Sequence, residues 1–164
     1  IGLLTFLAVG WTEELMFRGY LLQNLEEGTN MFWALVISSA IFSVGHFLNP
    51  NRTWTALVGL LLAGLFLAYA YIRTRQLWLA IGLHIGWNFF EGTIFGFPVS
   101  GLQQAGLIQH QTSGPTLITG GQFGPEAGLI LIPGILLGAF FVWLYTRGRD
   151  TSLTPANTPL HHKE

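Results

Sequence analysis

The chain has 164 residues, of which 51% are hydrophobic and only 9% are charged, and its mean hydropathy is +0.50. An ordinary soluble domain carries about a quarter charged residues, so this composition excludes a disordered chain and argues against a water-soluble globule. The net charge of −1 leaves no electrostatic footprint for nucleic acid. The absence of cysteine excludes a disulfide framework, a cysteine nucleophile and thiolate metal sites. We therefore expect the lipid bilayer to be the solvent.

Five apolar stretches predict an all-α, polytopic bundle of transmembrane helices that buries a polar site. A spanning helix needs about 20 mostly apolar residues, and the lack of period-2 alternation favours helices over core strands. In chain order the stretches are residues 1 to about 22, 31–47, 54–72, 77–97 and 127–145. The first stretch begins at Ile1 without Met, so we expect further helices of a longer protein to precede it.

The connections between the stretches differ in kind. Residues 23–30 predict a short polar link, and Asn49-Pro50-Asn51-Arg52 predicts a turn. Residues 96–126 are rich in Gly, Pro, Ser, Thr and Gln and predict a long irregular loop, outside the hydrocarbon or re-entering against protein. Gly124-Pro125-Glu126 predicts a helix start, with Glu126 as a charge at the positive end of the helix dipole. Residues 147–164 predict a polar, disordered tail.

Arginines near the ends of the stretches predict the orientation of the bundle. Arg73 and Arg75 follow one stretch, and Arg147 and Arg149 follow another, so an alternating topology places both pairs on one side. The excess of basic residues on cytoplasmic loops makes that side the cytoplasmic one, against which only Arg52 counts.

Charged side chains interrupt the first apolar stretch. A charge at membrane depth costs roughly 2.5 to 3.5 kcal/mol, so such residues persist when they are paired or functional. Glu14 and Arg18 have the i,i+4 spacing of a helical ion pair, and Glu13 is rotated by about 100° from Glu14, toward another partner. Solvated charges at an interfacial helix end are the alternative interpretation.

Polar side chains also interrupt two later apolar stretches. Phe42 and His46 are one helical turn apart, as are His84 and Asn88. A hydrogen-bonded core histidine and a polar contact between helices are the simpler interpretations of these pairs. Lipid offers no hydrogen-bond partners, however, so the polar side chains of the three stretches must find their partners in one another. The sequence therefore predicts that six residues converge on one cavity: Glu13, Glu14, Arg18, His46, His84 and Asn88.

These residues carry a family resemblance. Glu13 to Arg18 matches E-E-x-x-x-R, Phe42 to His46 matches F-x-x-x-H, and His84 to Asn88 matches H-x-x-x-N. Together the motifs resemble the CPBP family of CAAX prenyl proteases and bacteriocin-processing enzymes, also called Abi, whose members are intramembrane endopeptidases. The resemblance implies a protease core over residues 1–146 and a peptide or membrane-anchored protein as substrate. The residues in and around the motifs are similar to those common in bacterial members of the family. The resemblance therefore implies a location in the bacterial cytoplasmic membrane.

The resemblance also implies a role for each residue. Glu13 and His46 would activate a water molecule that attacks the scissile carbonyl. His84 and Asn88 would hold the developing oxyanion, while Glu14 and Arg18 would organise the site. No cofactor is needed on this interpretation. Alternatively, Glu13, His46 and His84 would ligate a divalent metal such as zinc, since two histidines and a carboxylate form a reasonable zinc set.

The same polar residues are compatible with two other functions. A proton-coupled transporter would use Glu13, His46 and His84 as a relay, although the chain has no internal repeat of the kind many transporters show. A protease-like scaffold that binds without cleaving is a third possibility. His-Glu-x-x-His and Gly-x-Ser-Gly do not occur and the only aspartate is Asp150, which excludes three other intramembrane protease chemistries.

The remaining ionisable residues are weaker candidates for the site or are expected to lie outside it. Glu91 lies two helical turns after His84 and is a weaker candidate for the cavity. His110 in the long loop, and His161 and His162 in the tail, are expected to be solvated.

Overall fold

The computed structural model describes residues 2–148, and its first feature is one continuous helical rod. The rod consists of helix α1 (Gly2–Glu14), a π-helical segment (Leu15–Leu21) and helix α2 (Leu22–Gly28). Glu14 and Leu22, at the two junctions, both keep right-handed helical backbone angles. The prediction of a polar link over residues 23–30 is therefore wrong, because helix α2 continues to Gly28. Asn24 donates back to the Tyr20 carbonyl within the rod.

Helices α3 (Met31–Gly45) and α4 (Trp54–Thr74) form an antiparallel pair that begins from side-chain caps. Asn30 accepts a hydrogen bond from the Trp33 N–H at 3.1 Å, and Thr53 accepts one from the Ala56 N–H at 3.1 Å. Such caps satisfy backbone donors that a helix start leaves free. A Cβ atom at Gly64 would lie 3.1 Å from the Ser39 Cβ, so the missing side chain lets the two helices pack closely.

Helix α5 (Leu77–Asn88) runs into a second π-helical segment (Phe89–Ile94), and together they pack antiparallel to the first rod. Glycines on the rod mark the contact. A Cβ at Gly10 would lie 2.6 Å from Ile85 Cγ1, and one at Gly19 would lie 3.2 Å from Leu77 Cδ1. This close approach brings the middle of α5 against the acidic end of α1.

The long loop after residue 94 folds back over one end of the bundle. It contains the short helix α6 (Thr116–Thr119) and a 3₁₀ turn (Pro125–Ala127), and helix α7 (Leu131–Thr146) follows. Asn49 Nδ2 donates to the Ser100 carbonyl at 2.9 Å, and Gly101 N donates to Phe123 O at 2.7 Å. The loop is thus tied to the α3–α4 turn. Helix α7 begins four residues later than the expected residue 127.

The surface of the bundle is apolar, and the polar groups lie inside. Four bulky side chains of α7 are each more than half exposed: Leu136, Leu137, Phe140 and Phe141. Among the described residues, only α4, with 21 residues, is both long and apolar enough to cross a membrane, while α3 and α7 are apolar but shorter. The prediction of an all-α helical bundle is confirmed. Its apolar exterior suits a lipid environment.

Candidate active site

Glu14 is the centre of a fully buried polar network. Arg18 Nη1 donates to Glu14 Oε1 at 2.7 Å, which is the ion pair expected from the i,i+4 spacing. The other guanidinium nitrogen, Nη2, donates to the Gly64 carbonyl at 2.8 Å. His84 Nδ1 lies 2.8 Å from the same Glu14 oxygen. Because an ionised carboxylate only accepts hydrogen bonds, Nδ1 of His84 carries the proton. The network joins the first rod, α4 and α5.

Phe42 fills the space between the charged groups. The Arg18 guanidinium carbon lies 4.7 Å from the centroid of the Phe42 ring, in cation–π contact. The same ring meets the His84 imidazole edge to face, with centroids 6.1 Å apart. The Phe42 carbonyl also accepts a hydrogen bond from His46 Nδ1 at 2.9 Å. Phe42 therefore packs the ion pair and orients the histidine one helical turn later.

Glu13 faces two histidines at once. Its Oε2 atom lies 3.9 Å from His46 Nε2 and 3.8 Å from His84 Nε2. Both distances exceed direct hydrogen bonding, and this oxygen is buried without a hydrogen-bond partner among the described residues. Since Nδ1 of each histidine already donates to an oxygen, Nε2 of each is the atom left for chemistry. The three atoms surround a position that suits one small polar group.

A cavity of about 360 Å³ gives access to this position. Four of the six predicted residues line it: Glu13, His46, His84 and Asn88. Glu14 and Arg18 do not line the cavity but lie behind it, 0% and 1% exposed. The walls are largely apolar, with Met16, Trp87 and Ile135 among them. The structure thus brings the six residues together in two layers.

Glu126 is a cavity residue that the sequence analysis missed. Its carboxylate lines the cavity and is 5% exposed, and its Oε2 accepts hydrogen bonds from Ser100 N at 2.6 Å and Ser100 Oγ at 2.8 Å. The prediction of a simple helix-start charge is wrong, because the chain makes only one 3₁₀ turn there before α7. Burial raises the pKa of Glu126 above its ordinary value of 4.5, against the opposing effect of Ser100 and the two site histidines.

The other ionisable residues play no part in the cavity wall. Glu91 is buried, but it does not line the cavity. His110 is exposed and stacks on Phe97, with ring centroids 4.1 Å apart. The predictions for His161, His162 and the tail after residue 148 lie outside the described residues.

Three of the five arginines in the described part of the chain lie at the end of the bundle opposite the long loop. Arg73 Nε donates to Thr146 Oγ1 at 3.0 Å, which joins the ends of α4 and α7. Arg75 makes a two-point ion pair with Glu26 at 2.8 and 3.0 Å, and this side-chain hydrogen bonding raises the pKa of Arg75. Arg147 follows α7 directly. The cavity, by contrast, lies toward the long loop.

The fold and the cavity are those of an α-helical membrane protein with charged side chains that line or support an internal site. Comparison with known families gives that class a name, because residues 1–90 match the family described as type II CAAX prenyl endopeptidase Rce1-like. The chain belongs to this family, which confirms the resemblance found in the sequence. The match contains all six predicted site residues and ends before Glu91 and Glu126.

A curated relative comes from Bacillus subtilis (strain 168). It carries the name "Putative membrane peptidase YdiL" and is 33% identical to this chain over 112 residues. The aligned region covers 68% of this chain and 41% of the relative. The chain therefore spans less than half the length of that protein. No solved structure matches the chain.

Proposed function

We propose that this chain forms the catalytic core of an intramembrane endopeptidase that hydrolyses a peptide bond in or near the bilayer, in a bacterial cytoplasmic membrane. Its substrate is a peptide or a membrane-anchored protein. The observation that carries the proposal is the position of Glu13 Oε2, which faces Nε2 of both His46 and His84 at 3.9 and 3.8 Å. A water molecule there would lie within reach of a carboxylate and an imidazole, the groups that general-base catalysis requires.

The partners of the two histidines favour different roles for them. His46 donates Nδ1–H to the Phe42 carbonyl, which leaves Nε2 to accept a proton from the water or to hold it. His84 donates Nδ1–H to the Glu14 carboxylate, which fixes the orientation of its imidazole ring. A protonated His84 can donate from Nε2 to the negative oxygen of a tetrahedral intermediate. We therefore assign water activation to Glu13 with His46, and oxyanion stabilisation to His84.

Asn88 supplies the second donor for the oxyanion. It follows His84 by one helical turn, is 4% exposed and lines the same cavity. An amide donor aimed at developing charge contributes about 10² to 10³ to the rate of comparable enzymes. The buried ion pair of Glu14 and Arg18 holds His84 in place from behind, and its burial keeps water from competing for the imidazole.

Zinc is the alternative occupant of the same position. Two Nε2 atoms and one carboxylate oxygen are donor types that zinc uses, and each histidine has the second hydrogen bond that zinc ligands typically make, although no three such side chains among the described residues are grouped as metal ligands are. Glu13, His46 and His84 would hold such an ion, which would supply a more acidic bound water. We favour the metal-free mechanism because it gives a role to Asn88 and to His84, whose ring is held by Glu14.

The test compares the protein with its Glu13→Gln variant in lipid vesicles, using a library of membrane-anchored peptides. Glutamine keeps the shape of Glu13 but cannot take a proton, so cleavage should fall by about 10² to 10⁴-fold, the contribution typical of a general base. Glu27→Gln, at an exposed position of α2, is the matched control and should cleave normally.

A chelator series separates the two mechanisms. The metal-free enzyme keeps its activity in a strong chelator. Stoichiometric metal in the active protein, with activity lost on stripping and restored with the metal, would replace the proposed mechanism by the zinc one. Equal cleavage by wild type and Glu13→Gln would contradict both.

A further inference from the structure

Glu126 is a buried carboxylate for which the proposed chemistry has no task. It is contributed by the turn before α7, beyond the family match, and yet it lines the cavity together with Glu13, His46 and His84. Both hydrogen bonds from Ser100 end on Oε2. The other oxygen, Oε1, is thus the atom left to act on a bound peptide.

A second buried carboxylate lies beside it. Glu91 is 7% exposed and is close enough to Glu126 for their charges to repel. Two buried carboxylates in this relation do not both ionise readily, and burial raises the pKa of Glu126, which favours its protonated form. Only Glu126 of the two faces the cavity.

Peptide hydrolysis needs a proton donor as well as a base. An amine leaves the tetrahedral intermediate readily only when its nitrogen is protonated. His84, as the oxyanion donor, and Glu13, as the base, are already engaged on the side of the attacking water. The base could return the water proton to the nitrogen itself, but a carboxyl group elsewhere on the cavity wall can protonate the nitrogen without the base leaving the attacking side.

We propose that Glu126 is the general acid of the reaction, held by Ser100 and protonating the leaving nitrogen of the scissile peptide bond. This inference rests on the proposed peptidase function. Ser100 acts as a positioning residue, because its N–H and O–H fix one carboxyl oxygen and leave the other for substrate.

The proton balance of the step is complete without a cofactor. The water oxygen bonds to the carbonyl carbon, and the water proton passes to Glu13 with His46. The C–N bond then breaks as Glu126 gives its proton to the nitrogen and becomes a carboxylate. The proton on Glu13 returns to Glu126 through solvent in the cavity, so one water is consumed and an acid and an amine are formed.

The test uses two versions of one cleaved peptide, with either the natural amide or a thioester at the scissile bond. A thiolate leaves without being protonated, so the thioester does not need the acid. Glu126→Gln should lower amide cleavage by about 10² to 10⁴-fold and thioester cleavage by less than about 10-fold. Glutamine can still accept the Ser100 hydrogen bonds, and an unchanged thermal unfolding temperature checks the fold.

Two further variants keep the inference falsifiable. Glu91→Gln leaves Glu126 in place and should change the ratio of amide to thioester cleavage less than Glu126→Gln does. If Glu126→Gln does not fold, Glu126→Asp retracts the carboxyl by one methylene group and should still lower that ratio. Equal loss on both substrates, no loss on either, or a larger effect of Glu91→Gln would each overturn the role of Glu126.

The proposed peptidase function is judged separately in the same assay. Glu13→Gln should lose cleavage of both the amide and the thioester, because the attacking water is needed for both. Thioester cleavage that survives in Glu126→Gln but not in Glu13→Gln supports both proposals. A wild-type protein that cleaves neither substrate would overturn both, whereas an unchanged ratio in Glu126→Gln overturns only the general acid.

Discussion

At the scale of single residues, the site depends on the order of two adjacent carboxylates. Glu13 faces the cavity and Glu14 faces the interior, because neighbouring residues on a helix point about 100° apart. One therefore meets the reacting groups while the other neutralises Arg18 and orients His84. Two identical side chains acquire different chemistry from one step along a helix.

Loss of Glu14 should harm folding more than a change of Arg18 to lysine. Glu14→Ala leaves a guanidinium buried without a counter-charge, which typically costs 3 to about 5 kcal/mol. Arg18→Lys keeps the charge but cannot reach both Glu14 and the Gly64 carbonyl with a planar fork, so activity should fall while expression survives. Thermal unfolding in detergent measures the difference, and equal stability of wild type and both variants would contradict the buried pair.

Stability should depend on pH through Glu126. Burial raises its pKa above the ordinary 4.5, so the folded protein holds more protons than the unfolded chain once the pH exceeds about that value. The free energy of unfolding therefore falls as pH rises from 4.5 toward the raised pKa, and the loss is complete above it. Glu91, His46 and His84 are the titratable groups that face Glu126.

Unfolding temperatures of wild type and Glu126→Gln across that pH range provide the check. The unfolding temperature of the variant should fall less with rising pH than that of the wild type, because the glutamine amide does not titrate. A parallel decline in both proteins would show that other groups cause it.

At the scale of elements, the two π-helical segments begin directly after site residues. One follows Glu14 and the other follows Asn88. Single π-helical turns inside α-helices are frequently found at functional sites. Gly19 of the first segment packs against Leu77, and Thr93 of the second packs against Gly2, so both segments lie in the contact between the first rod and the α5 region. Arg18, the last residue of the first motif, lies within the first of these segments, and the helix continues beyond it.

Gly59 on α4 should be essential for the position of Glu126. A Cβ atom there would collide with the Glu126 carbonyl oxygen. Gly59→Ala should therefore displace the Pro125–Ala127 turn, lower stability by about 1 to 3 kcal/mol and reduce peptide cleavage. Gly82→Ala on α5 is the matched control, because a Cβ there meets nothing within 4 Å. Unfolding temperature and cleavage rate are the measurements, and equal behaviour of the two variants would contradict this packing.

At the scale of the whole molecule, the bundle has one basic end and one end covered by the loop. Arg73, Arg75 and Arg147 lie at the first, and the cavity with its loop residues Ser100 and Gln104 lies toward the second. The positive-inside tendency makes the basic end cytoplasmic. We therefore expect the active site to lie nearer the outer face of the membrane.

Cysteine labelling tests this orientation on a clean background, because the chain has no cysteine. Glu27→Cys, at the basic end, should react with a membrane-impermeant maleimide only after the cells are opened. Gln103→Cys, in the exposed part of the long loop, should react in intact cells. The reverse pattern would turn the active site toward the cytoplasm.

The sequence by itself determined the helical bundle, its apolar stretches and the six polar residues that meet. These features depend on residues that are close together in the sequence. Hydrophobic runs determine the helices, and the i,i+4 spacing determines the pair of Glu14 and Arg18. Helix ends were less well predicted, as α2 and α7 show, because a few polar residues neither forbid nor require another turn.

Only the tertiary structure decided how the residues divide their contacts. Glu14 and His84 lie 70 positions apart, and Ser100 and Glu126 lie 26 apart. Contacts over such distances depend on how whole helices pack and how a long loop closes, and local sequence encodes neither. For the same reason Glu126 looked like a helix-start charge, although the fold of the loop carries it into the cavity.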